Sequence, residues 1–351
     1  LSELVEETGG LIHMDQLPVG DPTLSAKEIV GNESQERMGI VIREEDIEHI
    51  RQIADRERAP FYVVGETTGD HRFVFEQTDG VKPIDLAMED MFGKAPRTVM
   101  TDRTVEETYE DVTYDQTQLD EYVERVLQLE AVACKDWLTN KVDRSVTGKI
   151  ARQQCQGEIQ LPLSDCGVVA LDYRGRAGIA TSIGHAPQAA LVDPAAGSIL
   201  SIAEALTNIV WAPLSEGLDS VSLSANWMWP CKNEGEDARL YRAVEACSDF
   251  ACSLGINIPT GKDSLSMTQK YGKDKVYSPG TVIISAGAEV SDIRKVVSPV
   301  LRTGIDSTVY YIDFSFDKLK LGGSAFAQSL DKIGKEVPTV QDSEYFANAF
   351  N

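Results

Sequence analysis

The spacing of apolar and polar residues along the chain predicts alternating strands and helices. Short apolar runs bounded by turn residues are typical of strands, and apolar residues three and four positions apart are typical of helices. The predicted strands are 37–43, 60–66, 71–76, 160–163, 166–172, 177–183, 220–226, 281–290 and 308–315. The predicted helices are 44–58, 84–92, 119–129, 199–210 and 236–254, with another beginning near 322. Strands and helices mixed in this order indicate an α/β (α+β) fold.

The predicted helix 199–210 carries the main candidates for chemistry. At 100° per residue, Ser201, Glu204 and Asn208 fall on one polar arc. The opposite arc is apolar and consists of Ile199, Ile202, Leu206, Ile209 and Val210. A polar arc of this kind is ordinarily a solvated helix face. Oxygen-bearing side chains are also the ligands of Mg²⁺, usually together with phosphates. Asp165, directly before the predicted strand 166–172, is a further candidate ligand.

Composition and charge narrow the classes of function. A chain of 351 residues has room for two or three domains, and 42% hydrophobic with 25% charged residues is ordinary for a soluble globular protein. The net charge of −23 argues against nucleic-acid binding, which requires a basic face. The negative net charge does not exclude a phosphorylated substrate, because a metal ion or local basic residues can make the electrostatic potential positive at one site.

Cysteine usage and the absence of targeting signals favour a cytoplasmic protein. None of the six cysteines forms a C-x-x-C pair, and the four histidines lack metal-ligand spacing, so reduced thiols are expected. No apolar run reaches the roughly 18 residues of a membrane span, and no signal peptide is visible. The sequence begins without Met, which suggests a piece of a longer protein.

Several motifs together resemble one enzyme family. They are GNESQERM near the start, ARQQCQG and LPLSDCGVVAL in the middle, then SIGHAPQAALVDPAAGSILSIAEALTNI, GEDARLYRAVEACS and IPTGKDSLSM. In this unbroken order, over nearly the whole chain, they resemble the large single-chain phosphoribosylformylglycinamidine synthases of purine biosynthesis. That family is built from two copies of an aminoimidazole-ribonucleotide (AIR) synthetase-like unit, each with an N-type ferredoxin-like α/β domain and a C-type α/β domain.

The resemblance implies a domain plan. Residues 1–102 correspond to part of the C-type domain of copy one, and 103–145 to an acidic linker. Residues 146–298 correspond to the N-type domain of copy two, and 299–351 to the start of its C-type domain. Independently, residues 104–130 contain nine carboxylates and one Arg, which indicates a solvated connector with a helix.

The resemblance also implies an activity. Members use ATP and glutamine to amidate formylglycinamide ribonucleotide, giving formylglycinamidine ribonucleotide through an iminophosphate, with Mg²⁺ as cofactor and ATP or ADP bound. Ammonia comes from a glutaminase domain that is missing here. The family's catalytic His lies in the N-type domain of copy one, so we expect no catalytic residue in this chain and no turnover by it alone. Self-association through the N-type domain is expected.

Site residues follow from the same resemblance. Asp165, Glu204 and Asn208 correspond to metal ligands, with Ser164 close to the nucleotide. Glu33, Ser34 and Gln35 correspond to residues at the formylglycinamide ribonucleotide, although the residues by themselves indicate only a polar loop before a strand.

The segment 259–264 contains a Gly–Lys pair and looks like a short turn after a strand. Backbone N–H groups at such a turn can hold phosphate, but the P-loop spacing is absent. The resemblance implies that Gly261 and Lys262 contact the nucleotide and that Ser264 contacts the substrate. His185, in a loop between Gly and Pro, is either an acid–base candidate or, as we favour, structural.

Two other functions remain open from the sequence. One is another ATP-dependent enzyme of the AIR synthetase superfamily, which would have a single copy of the unit and no upstream E-S-Q cluster. The other is a non-catalytic nucleotide-binding scaffold. Turnover by the longer protein would separate both from the synthase.

Overall fold

The chain forms two compact units, Leu1–Val99 and Met100–Asn351, in a computed structural model. The structure describes residues 1–32, 37–93, 99–139, 144 and 148–351. Among these residues, none of the helices is both long enough and apolar enough to cross a membrane.

The first unit contains a four-stranded sheet with the strand order β2-β1-β3-β4. Its strands are β1 Gly10–His13, β2 Gly65–Thr67, β3 Arg72–Glu76 and β4 Ile84–Ala87, and its helices are α1 Ala26–Val30, α2 Ile47–Glu57 and α3 Met88–Phe92. Ser25 and Glu28 form a reciprocal capping box at the start of α1. A small apolar core lies under the sheet and contains Val5, Ile12, Met14, Phe73, Phe75 and Met88.

The second unit is built on a mixed six-stranded sheet with the order β11-β10-β14-β9-β8-β5. Those strands are β5 Ile150–Arg152, β8 Cys166–Ala170, β9 Gly178–Gly184, β10 Val221–Met228, β11 Asn257–Ser264 and β14 Thr281–Val290. Two hairpins accompany it, β6 Cys155–Gln156 with β7 Leu161–Pro162, and β12 Thr268–Tyr271 with β13 Asp274–Tyr277. Its helices are α4 Leu119–Gln128, α5 Asp136–Thr139, α6 Pro187–Val192, α7 Pro194–Ile209, α8 Glu236–Ser253, α9 Ala325–Ser329 and α10 Ser343–Phe350.

One face of this sheet is covered by α7 and α8 and forms the main core. Strand β9 alternates buried and exposed residues along its whole length, as a half-covered strand should. The buried set includes Val168, Ile202, Leu206, Ile209, Leu223 and Ile284. On the opposite face Ile179 and Ile183 keep 46% and 58% of their surface exposed. The covered face therefore holds the fold together and the other face is free for contacts.

Two predicted strands are wrong. Residues 37–43 and 308–315 form no ladder in the structure, and Met38, Val309 and Tyr311 are more than 80% exposed. A short apolar run becomes a strand only where a neighbouring strand pairs with its backbone hydrogen-bonding groups. Similarly, the predicted helix 84–92 is strand β4 followed by the short helix α3, and the predicted strand 60–66 is reduced to β2.

The segment 100–130 is exposed for the most part, but two anchors fix it to helices α8 and α9 of the second unit. The Asp102 carboxylate accepts hydrogen bonds from the backbone N–H groups of Gly235, Asp237 and Ala238 at the start of α8. Gly235, at φ 82°, provides no side-chain cap of its own. Further along, Tyr114 and the α4 residue Tyr122 pack edge-on against Phe326 of α9. The predicted helix near 119–129 is present as α4.

Asp102→Ala should lower the thermal midpoint of the second unit, because three N–H groups at the positive end of α8 lose their acceptor. Hydrogen bonds from the backbone of Arg103, then from the α8 N-terminus, hold the pKa of Asp102 below its ordinary 3.8. A lowered pKa stabilises the fold above 3.8, and the stabilisation is lost as the pH falls through the lower folded value. Melting curves from pH 7 to 3 should therefore show the difference shrinking. Asp111→Ala, an exposed acid of the same segment, is the control and should change little.

The segment after 313 packs on the same unit through an aromatic cluster. Phe346 of α10 is fully buried against Phe250 of α8 and Phe314. The Asn351 side chain accepts a hydrogen bond from the backbone N–H of Leu218. These contacts join the C-terminal segment to the core of the six-stranded sheet.

Candidate metal and nucleotide site

The candidate site is built where α7 touches the end of β9. Gly184 permits this contact, because a Cβ at that position would lie 2.1 Å from the carbonyl oxygen of Ser201 and 2.4 Å from the amide nitrogen of Ala205. Below it, the buried hydroxyl of Ser182 donates to the carbonyl of Ala205 over 2.6 Å. The backbone of α7 is therefore in direct contact with the backbone of β9 at this point.

Glu204 and Asn208 project from α7 onto the backbone that follows this contact. Glu204 Oε2 accepts from the backbone N–H of His185 over 2.6 Å, and Asn208 Nδ2 donates to the carbonyl oxygen of Ile183 over 2.9 Å. Because Nδ2 is committed to a carbonyl, the orientation of the Asn208 amide is fixed. Its Oδ1 receives no hydrogen bond from any described residue and is the atom that could ligate a metal.

The predicted proximity of Glu204 and Asn208 is confirmed, but Ser201 does not share their surface. Ser201 is fully buried, and its hydroxyl donates to the carbonyl of Gly197 one turn earlier. The expectation of a three-residue polar arc was therefore wrong at Ser201. The reason is that Gly184 brings β9 against this side of the helix, and a wheel drawn for an isolated helix cannot show that.

Asp165 lies at the same end of the sheet, where β9 ends at Gly184 and β8 begins at Cys166. Strands β8 and β9 are antiparallel and Cys166 pairs with Ser182, so the residue before β8 falls beside Ile183. Neighbouring strands are about 4.8 Å apart, which puts the backbone of Asp165 next to the residue that Asn208 contacts. The exposed Asp165 carboxylate has no ion pair or hydrogen bond with another described residue. The adjacent Ser164 hydroxyl oxygen is buried without a partner.

The cysteine of this edge is not a reactive thiol. Burial, together with the nearby charge of Asp165, raises the pKa of Cys166, and the charge of Arg152 opposes the shift only in part. A thiol of raised pKa stays protonated and is a poor metal ligand or nucleophile. The oxygen atoms of the edge are therefore its candidate ligands.

The Gly–Lys segment is not a turn, which corrects the sequence interpretation. Residues 257–264 form strand β11, parallel to β10, with Gly261 beside Ala225 and Lys262 beside Asn226. Gly261 is needed there because a Cβ would lie 2.1 Å from the carbonyl oxygen of Ala225. The segment is an extended edge strand that pairs with β10 on one side, and it does not form the turn that the sequence suggested as a phosphate nest.

The same register shows how far β11 lies from α7. Gly184 pairs with Ile284, Ile284 with Ala225, and Ala225 with Gly261, so all four stand in one row. Three ladder steps correspond to about 14 Å. Lys262 and Ser264 lie at the C-terminal end of β11, at the same end of the sheet as Glu204. The distance between β11 and α7 is too large for one metal ion to contact both. Only an extended ligand could contact both ends of the row.

The other predicted site residues have varied outcomes. Glu33, Ser34 and Gln35 lie outside the described residues. His185 lies with its Nδ1 3.7 Å from Glu204 Oε2 and its backbone bound to the same carboxylate. Sequence reasoning missed the backbone partners Ile183 and Gly184, although a Gly at the end of an alternating strand was a usable signal of close approach.

The donor set suits a hard cation that brings its own anionic ligands. In the described part of the chain, no group of three or more His, Cys, Asp and Glu residues could hold a metal alone. Asp165 and Glu204 supply two carboxylates, and Asn208 Oδ1 supplies a neutral oxygen. Mg²⁺ in proteins is commonly bound through one or two carboxylates plus phosphates and waters. The available oxygens therefore fit Mg²⁺ bound together with a phosphate ligand.

Two domain-family models and several curated relatives match this chain. Residues 134–289 match the family described as the FGAR-AT PurM_N-like domain, and residues 1–77 match the AIR synthase related protein, C-terminal domain. Phosphoribosylformylglycinamidine synthase of Dictyostelium discoideum is 37% identical over 96% of this chain and 26% of its own length. The Homo sapiens enzyme is 37% identical over 100% of this chain and 28% of its own length.

Solved structures show the same fold. Thermotoga maritima PurLQS matches with a TM-score of 0.60 at 18% identity, over 85% of this chain and 46% of that chain. T. maritima PurL complexed with ATP matches with a TM-score of 0.57 at 18% identity, over 85% of this chain and 45% of that chain. The predicted AIR synthetase-like α+β fold is confirmed. The chain spans about a quarter of the length of the curated relatives it matches, and over 96–100% of its own length it is similar to phosphoribosylformylglycinamidine synthases.

Proposed function

We propose that this chain is part of the synthetase portion of a phosphoribosylformylglycinamidine synthase. The longer protein would convert formylglycinamide ribonucleotide, ATP and glutamine to formylglycinamidine ribonucleotide in purine biosynthesis. The names of the relatives support this, as do T. maritima PurL structures described as complexed with ATP and with FGAR. The observation that carries it is the fixed pair of Glu204 and Asn208 at the sheet edge beside Asp165.

The chemistry proceeds in two stages. ATP phosphorylates the amide oxygen of the ribonucleotide to give an iminophosphate, and ammonia from a glutaminase domain then displaces the phosphate. Mg²⁺ would offset negative charge on the phosphates, the main demand of such a reaction. None of the residues proposed here is catalytic, and the site of this chain holds nucleotide in support of a catalytic site elsewhere.

The chain's own residues divide the binding work. Asp165, Glu204 and Asn208 Oδ1 would hold the metal, with Ser164 and the β11 residues Gly261 and Lys262 along the nucleotide. Ser264 would contact substrate. Separately, Glu33, Ser34 and Gln35 would bind formylglycinamide ribonucleotide.

Gln35→Ala in the longer protein should lower kcat/KM for formylglycinamide ribonucleotide by about 5- to 150-fold, since one good polar contact contributes roughly 1–3 kcal/mol. Steady-state kinetics at varied ribonucleotide concentration measures this. Gln52→Ala, an exposed Gln on α2, is the control and should leave kcat/KM unchanged. Equal kcat/KM for wild type and Gln35→Ala would show that the 33–35 cluster is only a loop.

The open face of the six-stranded sheet should support self-association. Ile179 and Ile183 are exposed there although they belong to a long, regular strand, and exposed apolar patches tend to find partners. Light scattering of the chain at rising concentration should show dimers that Ile179→Lys combined with Ile183→Lys abolishes. A wild-type monomer at high concentration would contradict this.

A further inference from the structure

The hairpin β12–β13 extends from the edge of the sheet that carries the candidate site. It joins the end of β11 at Ser264 to the start of β14 at Thr281. Its base is fixed to the end of β10: the N–H of Met267 donates to the carbonyl of Trp229, and the N–H of Ser278 donates to the carbonyl of Met267. Trp229 is fully buried, and Gly280 lies directly on its indole ring. The hairpin therefore starts from a rigid base.

Lysines of the hairpin are placed against each other. Lys270 and Lys275 are directly opposite in the antiparallel ladder, so their side chains share one face. Like charges in this position repel and destabilise a two-stranded hairpin. Tyr277 lies on that face too, with Lys275 Nζ 5.9 Å from its ring centroid. The two-residue turn between the strands consists of Gly272, whose φ is 63°, and Lys273.

These lysines lack anionic partners even though the chain is rich in acids. None of the ion pairs in the described part of the chain involves Lys270, Lys273 or Lys275. Asp274, the only acid of the hairpin, pairs with Tyr271 on the other face. Residues 268–277 thus carry three lysines against one aspartate in a chain of net charge −23. An uncompensated cluster of this kind is suited to an anion from outside.

We propose that hairpin β12–β13 is a phosphate-binding element that receives the phosphate groups of a phosphorylated small molecule between Lys270 and Lys275. The proposal deepens the proposed function, since it rests on the ligand of this sheet edge being a phosphate ester. Asp165 and Glu204 repel such a ligand when no metal is bound, and the hairpin lysines provide the positive potential that attracts it.

Inorganic triphosphate, without divalent cations, is the probe. Isothermal titration of the 351-residue chain at about 20 mM salt should show binding that weakens at about 200 mM, as screening requires. Lys270→Gln with Lys275→Gln should weaken it at least about tenfold at low salt. The matched control is Lys149→Gln with Lys295→Gln, an equal change of charge at the opposite edge of the same sheet, and it should retain binding. Circular dichroism confirms that each variant is folded.

The outcomes separate this proposal from the proposed function. The hairpin proposal is overturned by any of three results: the wild-type chain does not bind triphosphate, the Lys270/Lys275 variant binds it as well as wild type, or the Lys149/Lys295 control loses as much affinity. Asp165→Asn with Glu204→Gln removes two charges that repel the anion, so it should strengthen metal-free triphosphate binding and must not weaken it. If that pair of substitutions also leaves Mg²⁺-dependent nucleotide binding intact, the metal site is wrong while the hairpin proposal stands.

Discussion

Asp165→Asn combined with Glu204→Gln, made in the longer protein, is expected to abolish retention of nucleotide through purification. Both substitutions keep side-chain size and remove a charged metal ligand. Glu204→Gln can still accept the hydrogen bond from His185 N–H through its amide oxygen, so the contact between α7 and β9 should survive. Changes to groups that merely orient metal ligands cost about 10- to 100-fold in affinity, so loss of two ligands should exceed about 100-fold.

The matched control is Asp219→Asn combined with Glu216→Gln. It makes the same chemical changes at two exposed acids that the site does not use, Glu216 just before the 3₁₀ turn Gly217–Ser220 and Asp219 within it. Absorbance at 260 nm after denaturation, with metal analysis of the same sample, quantifies what each protein retains. The control should match wild type. Nucleotide and Mg²⁺ retained at the wild-type level by the Asp165/Glu204 variant would reduce the polar arc to a solvated helix face.

Gly184→Ala should be the most damaging single substitution at the site that leaves its polar side chains intact. The new Cβ would overlap the Ser201 carbonyl oxygen and the Ala205 amide nitrogen, neither of which is a flexible side chain. Overpacking of this kind typically costs about 1–3 kcal/mol of stability. Because α7 must move away from β9, the hydrogen bonds to Ile183 and His185 should also be strained, and nucleotide binding should weaken.

Gly287→Ala provides the comparison for that substitution. Gly287 lies in β14, one strand away, and a Cβ there meets nothing within 4 Å. Urea unfolding of both variants should show a lower midpoint for Gly184→Ala and a neutral or slightly raised midpoint for Gly287→Ala, since Ala is favoured over Gly in a strand. Equal midpoints would show that the helix–strand contact is looser than the structure indicates.

Local patterns predicted the parts of the fold that depend on local periodicity. The strands around Val168, Ala180 and Ile284 and the helices α7 and α8 follow from periods of 2 and 3.6 because one face of each is buried. The pairing of Glu204 with Asn208 on one helix face was predictable for the same reason.

Nonlocal pairing explains what the sequence missed. Strand β11 contains Pro259 and Gly261, which read as a turn, and its place as a strand depends on the parallel partner β10 more than 30 residues earlier. Residues 37–43 and 308–315 show the reverse case, since both contain short apolar runs typical of strands and neither pairs with a strand in the described chain. The burial of Ser201 likewise depends on Gly184, which is distant in sequence.

A crystal of the longer protein grown with Mn²⁺ and ADP would test the metal site most directly. Anomalous scattering locates Mn²⁺ independently of the protein atoms, and Mn²⁺ accepts the same oxygen ligands as Mg²⁺. The proposal predicts a peak at about 2.0–2.2 Å from carboxylate oxygens of Asp165 and Glu204 and from Asn208 Oδ1, while Asn208 Nδ2 remains on the Ile183 carbonyl. Mn²⁺ and ADP bound in the crystal with no anomalous peak at these three residues would contradict it.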